Sequence, residues 1–434
     1  MSGKLPVTLR AYRLLSAAAA PLMPLMLSRR LKRGKEHGGR IAERRGIARM
    51  ARPQGPLVWL HAASVGELSS VLPLIERLRA RGVGVLVTTG TVTSSGLAEQ
   101  RLPRGAIHQF VPLDVPRFVR RFLDHWQPDL ALIVEQDLWP NMIVETSARG
   151  VPMILVNARL SENSFRRWTY LRSMIVDLLQ RFDLCLAGTP ADAERLSALG
   201  APRVAAAGNL KLDVPAPPAD AVKLTELKDA IAMRPMIAAV STHPGEDGAV
   251  IEAHQRLRGN FPGLLTLIAP RHPERGPGVF ELAAAAGLKA ALRSRGERLD
   301  ATTDIYVADT MGELGLIYRL APVVFIGGSL VKHGGQNPIE AAKLGAAILH
   351  GPHVWNFIEI YDALDAAHGA ELVAEAGRLT AAFAALLNDA AARGRATDAA
   401  RTTVDALGGA LERTLDSLEP YLMQLQLRGQ DGHA

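Results

Sequence analysis

The sequence predicts an α/β protein built from two Rossmann-like parallel-sheet domains, and three observations predict it. Short apolar runs alternate with longer amphipathic ones from about residue 56 onward, which means crossover connections and parallel strands. The short runs are apolar throughout rather than at every second position, as in strands covered by helices on both faces. A stretch with three prolines in eight residues, Asp213-Val-Pro-Ala-Pro-Pro-Ala-Asp220, divides the alternation in two and reads as a stiff connector. A chain of 434 residues suits two domains of about 150–200 residues each. The division expected is a segment 1–52, a first domain 53–213, a linker 214–220 and a second domain 221–434.

Before the first strand, Ala11 to Ser28 is rich in Leu, Ala and Met, with Arg13 its single charge, and Arg29, Arg30, Lys32, Arg33 and Lys35 follow at once. A secretory signal would end in small residues rather than a basic block. Pro21 and Pro24 interrupt a run already at the short limit for a bilayer span. An apolar helix lying in a membrane interface beside a basic flank fits better, and a helix packed on the protein body is the alternative. The charge supports one basic contact region. Residues 1–52 carry thirteen Lys or Arg against two Glu, a local +11, so the rest of a chain of net +7 is slightly acidic. No nucleic-acid partner is expected of such a distribution.

The first domain offers strands at Leu57–Ala63, Gly84–Thr89, Gln109–Leu113, Leu130–Glu135, Met153–Asn157 and Leu184–Ala187. Helical patterns lie between them at Leu68–Arg81, Pro116–His125 and Phe165–Arg181. The second offers Ile237–Val240, Leu264–Ala269, Ile305–Val307, Val323–Ile326 and Ala346–Leu349. An Ala-rich helical tail from about Leu379 either caps the second domain or returns to the first. One cysteine, Cys185, excludes an internal disulfide and a thiolate metal site, and the histidines form no H-E-x-x-H or similar ligand cluster.

Ligands of open parallel sheets sit beyond the carboxyl ends of the strands, so chemistry is sought there. After the first strand, Ser64 and Glu67 have the spacing of a capping box, with a catalytic carboxylate as the other reading of Glu67. After the fourth, Glu135 ends the strand and Asp137 is placed to cap the next helix. After the fifth, Arg159, Ser161, Ser164, Arg166 and Arg167 form a cationic loop whose arginines oppose the helix dipole unless an anion is bound. In the second half, Ser241-Thr-His-Pro-Gly-Glu246 and Pro270-Arg-His-Pro-Glu-Arg275 each follow a strand, and the planar fork of Arg271 suits a phosphate. Asp309-Thr-Met-Gly-Glu-Leu-Gly315 comes next. The run Gly327 to Glu340 then holds four glycines ahead of Pro338, a glycine-lined helix start that reads as a phosphate site. It is neither a dinucleotide fingerprint nor a Walker motif.

Taken in order, these residues resemble the Kdo transferase family, which transfers 3-deoxy-D-manno-octulosonic acid from its cytidine monophosphate adduct, CMP-Kdo, to the lipid A precursor. The resemblance runs from about residue 12 to residue 365. It is carried by R-G-K-E at Arg33–Glu36, S-V-G-E-L at Ser64–Leu68, L-W-P-N at Leu138–Asn141, N-A-R-L-S at Asn157–Ser161 and G-N-L-K at Gly208–Lys211. It continues in P-R-H-P-E-R at Pro270–Arg275, D-T-M-G-E-L at Asp309–Leu314 and G-G-S-L at Gly327–Leu330. It implies a GT-B type glycosyltransferase, two Rossmann-like domains facing across a cleft, inverting at the anomeric carbon with no metal and no cofactor. It implies Glu67 as general base, with Glu135 the other catalytic candidate. Arg271, His272, Met311, Gly312, Glu313, Asn337 and Glu340 then contact the donor, while Arg159, Ser161, Arg166 and Lys211 are candidates for the sugar carboxylate or an acceptor anion. The partners implied are CMP-Kdo, a lipid A precursor such as lipid IVA, and the cytoplasmic face of the bacterial inner membrane. The chain departs from the family pattern at Gln336, usually His, at Ala341-Ala342, where a proline is usual, and at His243-Pro244. A related glycosyltransferase with another sugar nucleotide, an epimerase of similar fold, or a non-catalytic membrane-docked nucleotide-binding protein are the rival readings.

Overall fold

A computed structural model describes residues 5–431. The chain forms two compact units, Met1–Val214 with Gly408–Ala434, and Pro215–Leu407. Each holds one seven-stranded sheet.

The first sheet contains β1 (Leu57–His61), β2 (Gly84–Thr89), β3 (Ile107–Phe110), β4 (Leu130–Val134), β5 (Met153–Ala158), β6 (Leu184–Ala187) and β7 (Val204–Ala206), in the order β3-β2-β1-β4-β5-β6-β7. Its strands pair in parallel, with Trp59 level with Leu86 and Ala131. Side chains alternate across the sheet, so Trp59, Leu86 and Ile133 enter one core with Phe122 and Trp126, while Val58, Leu60, Val87 and Leu132 enter the other. Both faces are therefore filled, which is why the strands read as unbroken apolar runs. The indole nitrogens that enter the core are bonded: Trp59 Nε1 donates to Thr88 Oγ1 (2.9 Å) and Trp126 Nε1 to Gln109 Oε1 (2.8 Å).

The second sheet contains β8 (Met236–Thr242), β9 (Leu265–Pro270), β10 (Ala290–Leu292), β11 (Ile305–Val307), β12 (Val323–Ile326), β13 (Ala347–His350) and β14 (Ala370–Leu372), in the order β10-β11-β9-β8-β12-β13-β14. In both sheets the chain works outward from the first strand and then returns to its other side. That reversal falls between β1 and β4 in one unit and between β8 and β12 in the other, and it opens a crevice at the carboxyl ends of those strands. The three strands without a sequence signal, β7, β10 and β14, are three-residue pieces at or beside the sheet edges.

The tail belongs to the first unit. Leu415, Leu418, Leu422 and Leu425 of the helix Ala410–Asp431 recur at helical spacing and fill the core beside Leu74 and Leu78. The carboxylate of Asp213 receives the amides of Gly409 (2.7 Å) and Leu411 (2.6 Å), fixing the return. The second domain expected over 221–434 thus ends at Leu407 and begins at Pro215. The linker prolines are packed rather than free: Arg319 Nη1 donates to Pro217 O (2.7 Å), and a Cβ on Gly315 would lie 2.1 Å from Pro218 O. The helix expected over Phe165–Arg181 is two helices, Glu162–Tyr170 and Arg172–Leu179, because Leu171 leaves helical geometry at ψ 36°.

The N-terminal apolar segment folds as helices Val7–Ala19 and Met23–Lys32 on the first unit. Leu9, Ala20 and Leu27 are buried, Tyr12 Oη donates to Asp114 (2.9 Å), and Arg13 pairs with Glu145 (2.6 Å). Arg13, the lone charge of the segment, is thus a docking residue, and Glu145 also receives Arg120 (2.9 Å) and Arg149 (3.4 Å). The basic flank is partly neutralised, since Glu36 takes Arg30 (2.7 Å) and Arg44 (2.9 Å). Among the described residues no helix is long and apolar enough to cross a membrane. Val7, Leu14, Leu15, Leu22 and Leu25 nevertheless stay exposed.

Gly315→Ala forces backbone to move, since the clash is with a carbonyl rather than a flexible side chain. It is expected to destabilise by roughly 1–3 kcal/mol, read as a lowered urea midpoint, whereas Gly345→Ala loses only its positive-φ freedom.

Candidate functional site

In the first unit the polar residues collect where β1 and β4 end. Leaving β1, Ser64 caps the helix Val65–Ala80, accepting from Glu67 N (3.3 Å). Glu67 reaches back, taking Ser64 Oγ on one oxygen (2.8 Å) and Ala63 N on the other (2.7 Å). Ser64 caps as read, but the capping box is only half formed, because Glu67 bonds Ala63 N rather than Ser64 N; the result is a fixed local arrangement. It also orients the carboxylate, which is compatible with chemistry. Burial pushes the Glu67 carboxyl above the ordinary range, the charges of Asp137 and Glu135 push the same way, and the bonds from Ser64 and Ala63 oppose them.

Glu135 leaves β4 with φ 59°, a left-handed conformation that costs a non-glycine residue energy and is common at functional sites. It pairs with Lys211 Nζ at 2.7 Å. Lys211 sits in the turn Leu210–Leu212 after β7, held by Asn209 on Lys211 N (3.1 Å) and by Asn157 Oδ1 on Leu210 N (3.0 Å). Asn157 itself has φ 52° at the end of β5. Asp137 does not cap a helix. It lies 3.3 Å from Nε2 of the fully buried His61, whose Nδ1 is 2.9 Å from Thr88 Oγ1. Sequence reading missed His61 because its partners, Thr88 and Asp137, are distant in the chain.

The cationic loop is less concentrated than expected. Ser161 caps the helix Glu162–Tyr170 through Ser164 N (3.2 Å). Arg166 is exposed and paired with Glu162 one turn earlier, so an internal carboxylate answers the dipole conflict that had suggested a bound anion. Arg159 is half-buried at the end of β5.

In the second unit Arg271 and His272 follow β9 and are exposed. The second arginine of that motif is structural: Arg275 donates to Thr242 O (2.7 Å) and pairs with Asp247, which also accepts from Thr242 Oγ1 (2.6 Å). His243 stacks on His333 with centroids 3.7 Å apart and lies edge-on to His272 at 6.1 Å. Burial lowers its imidazole to about 4, aided by His333, His272, Arg275 and Arg271. Neutral His243 can therefore accept at Nε2, where the Gln336 amide nitrogen lies 3.2 Å away. That places the departure at Gln336 against another departure site of the family pattern.

Met311 and Gly312 form an exposed turn, Met311 71% accessible and Gly312 at φ 82°. Glu313 beside them is immobilised by Arg293 (2.9 Å to one oxygen), Lys223 (3.0 Å) and Thr310. The bonds from Arg293 hold its carboxyl down at about 2. Arg293 is a residue that no local pattern could reveal, since it is twenty positions from Glu313. Asn337 accepts Ile339 N (3.0 Å), and its amide lies 3.5 Å from Glu340, whose carboxyl is raised by burial. One expectation is corrected here. The helix after Pro338, Ile339–Lys343, has only five residues, and the Gly328–Leu330 amides read as a phosphate site are taken by the Glu246 carboxylate. Among the described residues no His, Cys, Asp or Glu cluster could hold a metal ion.

Two Rossmann-like units, each with polar side chains gathered where its strand order reverses, define an α/β architecture shared with solved enzymes. A crystal structure of a glycosyltransferase from Rickettsia africae ESF-5 is similar to 85% of this chain and 99% of its own, with TM-score 0.58 and 13% identity, a likeness of fold alone. Sequence identifies the family. The model described as 3-deoxy-D-manno-octulosonic-acid transferase (kdotransferase) matches residues 39–214. The 3-deoxy-D-manno-octulosonic acid transferase of Bordetella pertussis is 38% identical over 425 residues, 95% of this chain and 99% of that one. That of Haemophilus influenzae is 35% identical over 392 residues, 88% and 91% of the two chains. The chain belongs to the Kdo transferase family and is a glycosyltransferase.

The buried imidazole gives a prediction. A histidine lowered on folding binds a proton more readily when unfolded, so its contribution to stability is lost as pH falls from its ordinary value, about 6.5. In a heteronuclear NMR titration the His243 ring is expected to change charge near pH 4, well below an unperturbed histidine.

Proposed function

We propose that this enzyme transfers Kdo from CMP-Kdo to a hydroxyl of a lipid A precursor such as lipid IVA, with inversion at the anomeric carbon. The observation that carries the proposal is Glu67: a carboxylate held by two bonds, with a raised proton affinity, at the switch point of the first sheet in a member of this family. The acceptor oxygen forms its bond to the anomeric carbon as the bond to the cytidylate oxygen breaks. The hydroxyl proton passes to Glu67, because a neutral hydroxyl is a weak nucleophile and a positioned carboxylate can remove its proton as charge develops. Lys211 neutralises Glu135, so the neighbouring carboxylates do not all repel an anionic substrate. Arg159, Ser161, Arg166 and Lys211 are the residues through which an acceptor phosphate or the sugar carboxylate would be sought.

In the second unit, Arg271 and His272 take the departing cytidylate, and the turn Met311–Gly312–Glu313 with Asn337 and Glu340 takes the nucleoside. The exposure of Arg271 and Met311 and the immobilised Glu313 support that assignment. Fixed cationic and hydrogen-bond donors can stabilise the charge gathering on the leaving phosphate.

A lipid acceptor is supported by the first unit's surface. A cavity of about 560 Å3 is lined by Leu15, Leu138, Trp139, Trp168, Leu171 and Met174. Exposed Leu14, Leu22 and Leu25 accompany exposed Arg29, Lys32, Arg33 and Lys35 in the same segment. An apolar face with a basic flank suits an anionic membrane surface, each cation adding about 1 kcal/mol. We place the enzyme at the cytoplasmic face of the inner membrane on that ground.

The test is to incubate the protein with CMP-Kdo and follow CMP release with and without the lipid. Release that depends on the lipid, with a matching gain of mass in it, supports the reading; acceptor-independent hydrolysis or preference for a uridine donor overturns it. Glu67→Gln is expected to lower kcat by at least about a hundredfold while CMP affinity stays within about twofold. Because the Glu67 carboxyl is raised, kcat/KM should fall as acidity rises through a value above the ordinary carboxylate range, about 4.3, where it becomes protonated. For the membrane surface, Leu14→Glu with Leu25→Glu should reduce co-sedimentation with anionic vesicles, with soluble-donor binding retained.

A further inference from the structure

Glu246 has no part in the donor contacts above, yet its buried carboxylate is held by four backbone amides. It opens the helix Glu246–Leu257 after Gly245, whose φ of 101° turns the chain out of β8. Its side chain is 0% exposed. One oxygen accepts His243 N (2.8 Å) and Gly328 N (2.7 Å); the other accepts Ser329 N and Leu330 N (3.0 Å each). Four backbone donors thus converge on one side chain from two separate loops. A buried carboxylate is tolerated only when hydrogen-bonded in this way, and the helix start adds favourable dipole charge.

The amides of Gly328–Leu330 make the kind of concave donor group that binds phosphate in other proteins. Here that group is filled by the protein's own anion. Its neighbours are packed as tightly: a Cβ on Gly327 would lie 2.5 Å from Ser241 O, and one on Gly351 2.3 Å from Ser329 O. Ser329 Oγ accepts Gly351 N (2.8 Å) and donates to Ile326 O. The segment leaving this clamp returns to it, with Gly335 N on Gly328 O (2.8 Å) and Gln336 N on Gly327 O (3.1 Å). Asn337 and Glu340 follow directly.

We infer that Glu246 is a positioning residue for the donor site: it occupies the amide nest of the glycine loop as a resident anion, and thereby sets the place of His243, Gln336, Asn337 and Glu340. The donor phosphate is bound by side chains such as Arg271 and not by the amides of Gly328–Leu330. This inference rests on the donor reading given above.

Glu246→Gln replaces an acceptor oxygen with a donor NH2 facing backbone N–H groups, so the clamp opens while side-chain size is kept. In the full-length protein, CMP affinity by calorimetry is expected to weaken by about tenfold or more, the loss of hydrogen bonds to a charged group. KM for the sugar donor should rise in step, with KM for the acceptor lipid within about twofold. Amide hydrogen exchange at Gly328–Leu330 should be slow in the wild type with or without CMP, and faster in the variant. Unchanged CMP affinity in a folded Glu246→Gln protein overturns the inference, as does CMP-induced release of those amides in the wild type. Wild-type protein that binds no CMP at all instead defeats the donor reading itself. If the Gln variant does not fold, Glu246→Asp, which keeps the charge but shortens the reach, decides on the same titration: a several-fold weakening is expected, and none overturns the inference.

Discussion

Much of this molecule depends on one need: satisfying backbone amides where a parallel sheet reverses its strand order. The strands flanking that point send their loops apart, and the N–H groups at the mouth of the crevice lose ladder partners. Both units answer with a glutamate in the first turn of the helix that follows the first strand. Glu67 folds back onto Ala63 N at 2.7 Å and Glu246 onto His243 N at 2.8 Å. The local sequences match, Ser64-Val-Gly-Glu67 and His243-Pro-Gly-Glu246, with glycine just before the carboxylate in each.

The two glutamates then diverge by surroundings. Glu246 is closed over by the glycine loop after β12, which spends its amides on both oxygens. Glu67 meets no such loop. The segment after β4 instead brings Glu135 and Asp137, two further carboxylates, whose charge disfavours its ionisation. The same backbone device thus carries a carboxylate enclosed by four amides in one unit and a carboxylate of raised proton affinity in the other. Positive φ accompanies both, at Glu135 and Asn157 in the first unit and at Ser241, near the end of β8, in the second.

The positions of the candidate residues were legible where they lie close to their own strand end. Glu67, Arg271 and Met311 all lie within a few residues of a strand that the apolar pattern already marked. What pattern could not supply were partners drawn from elsewhere in the chain. Arg293 on Glu313 and His61 beside Asp137 join neighbouring strands, while Lys211 reaches Glu135 from beyond β7, and all three pairings are set by strand order rather than by spacing. The glycine run misled for a related reason. Its composition announces accessible amides, but whether those amides face a ligand or a carboxylate from another strand is a tertiary matter.

By itself the sequence determined the two-sheet α/β architecture, the positions of the long strands and the family, because hydrophobic continuity and ordered motifs are local properties that survive without contacts. Tertiary structure alone decided that the final helix completes the first unit, since its leucine stripe could have served either core until Asp213 received the amides of Gly409 and Leu411. It also decided that Arg13 docks the N-terminal helix through Glu145. It gave two similar glutamates different surroundings and raised the proton affinity of Glu67, because burial and neighbouring charge are set by which strands lie side by side.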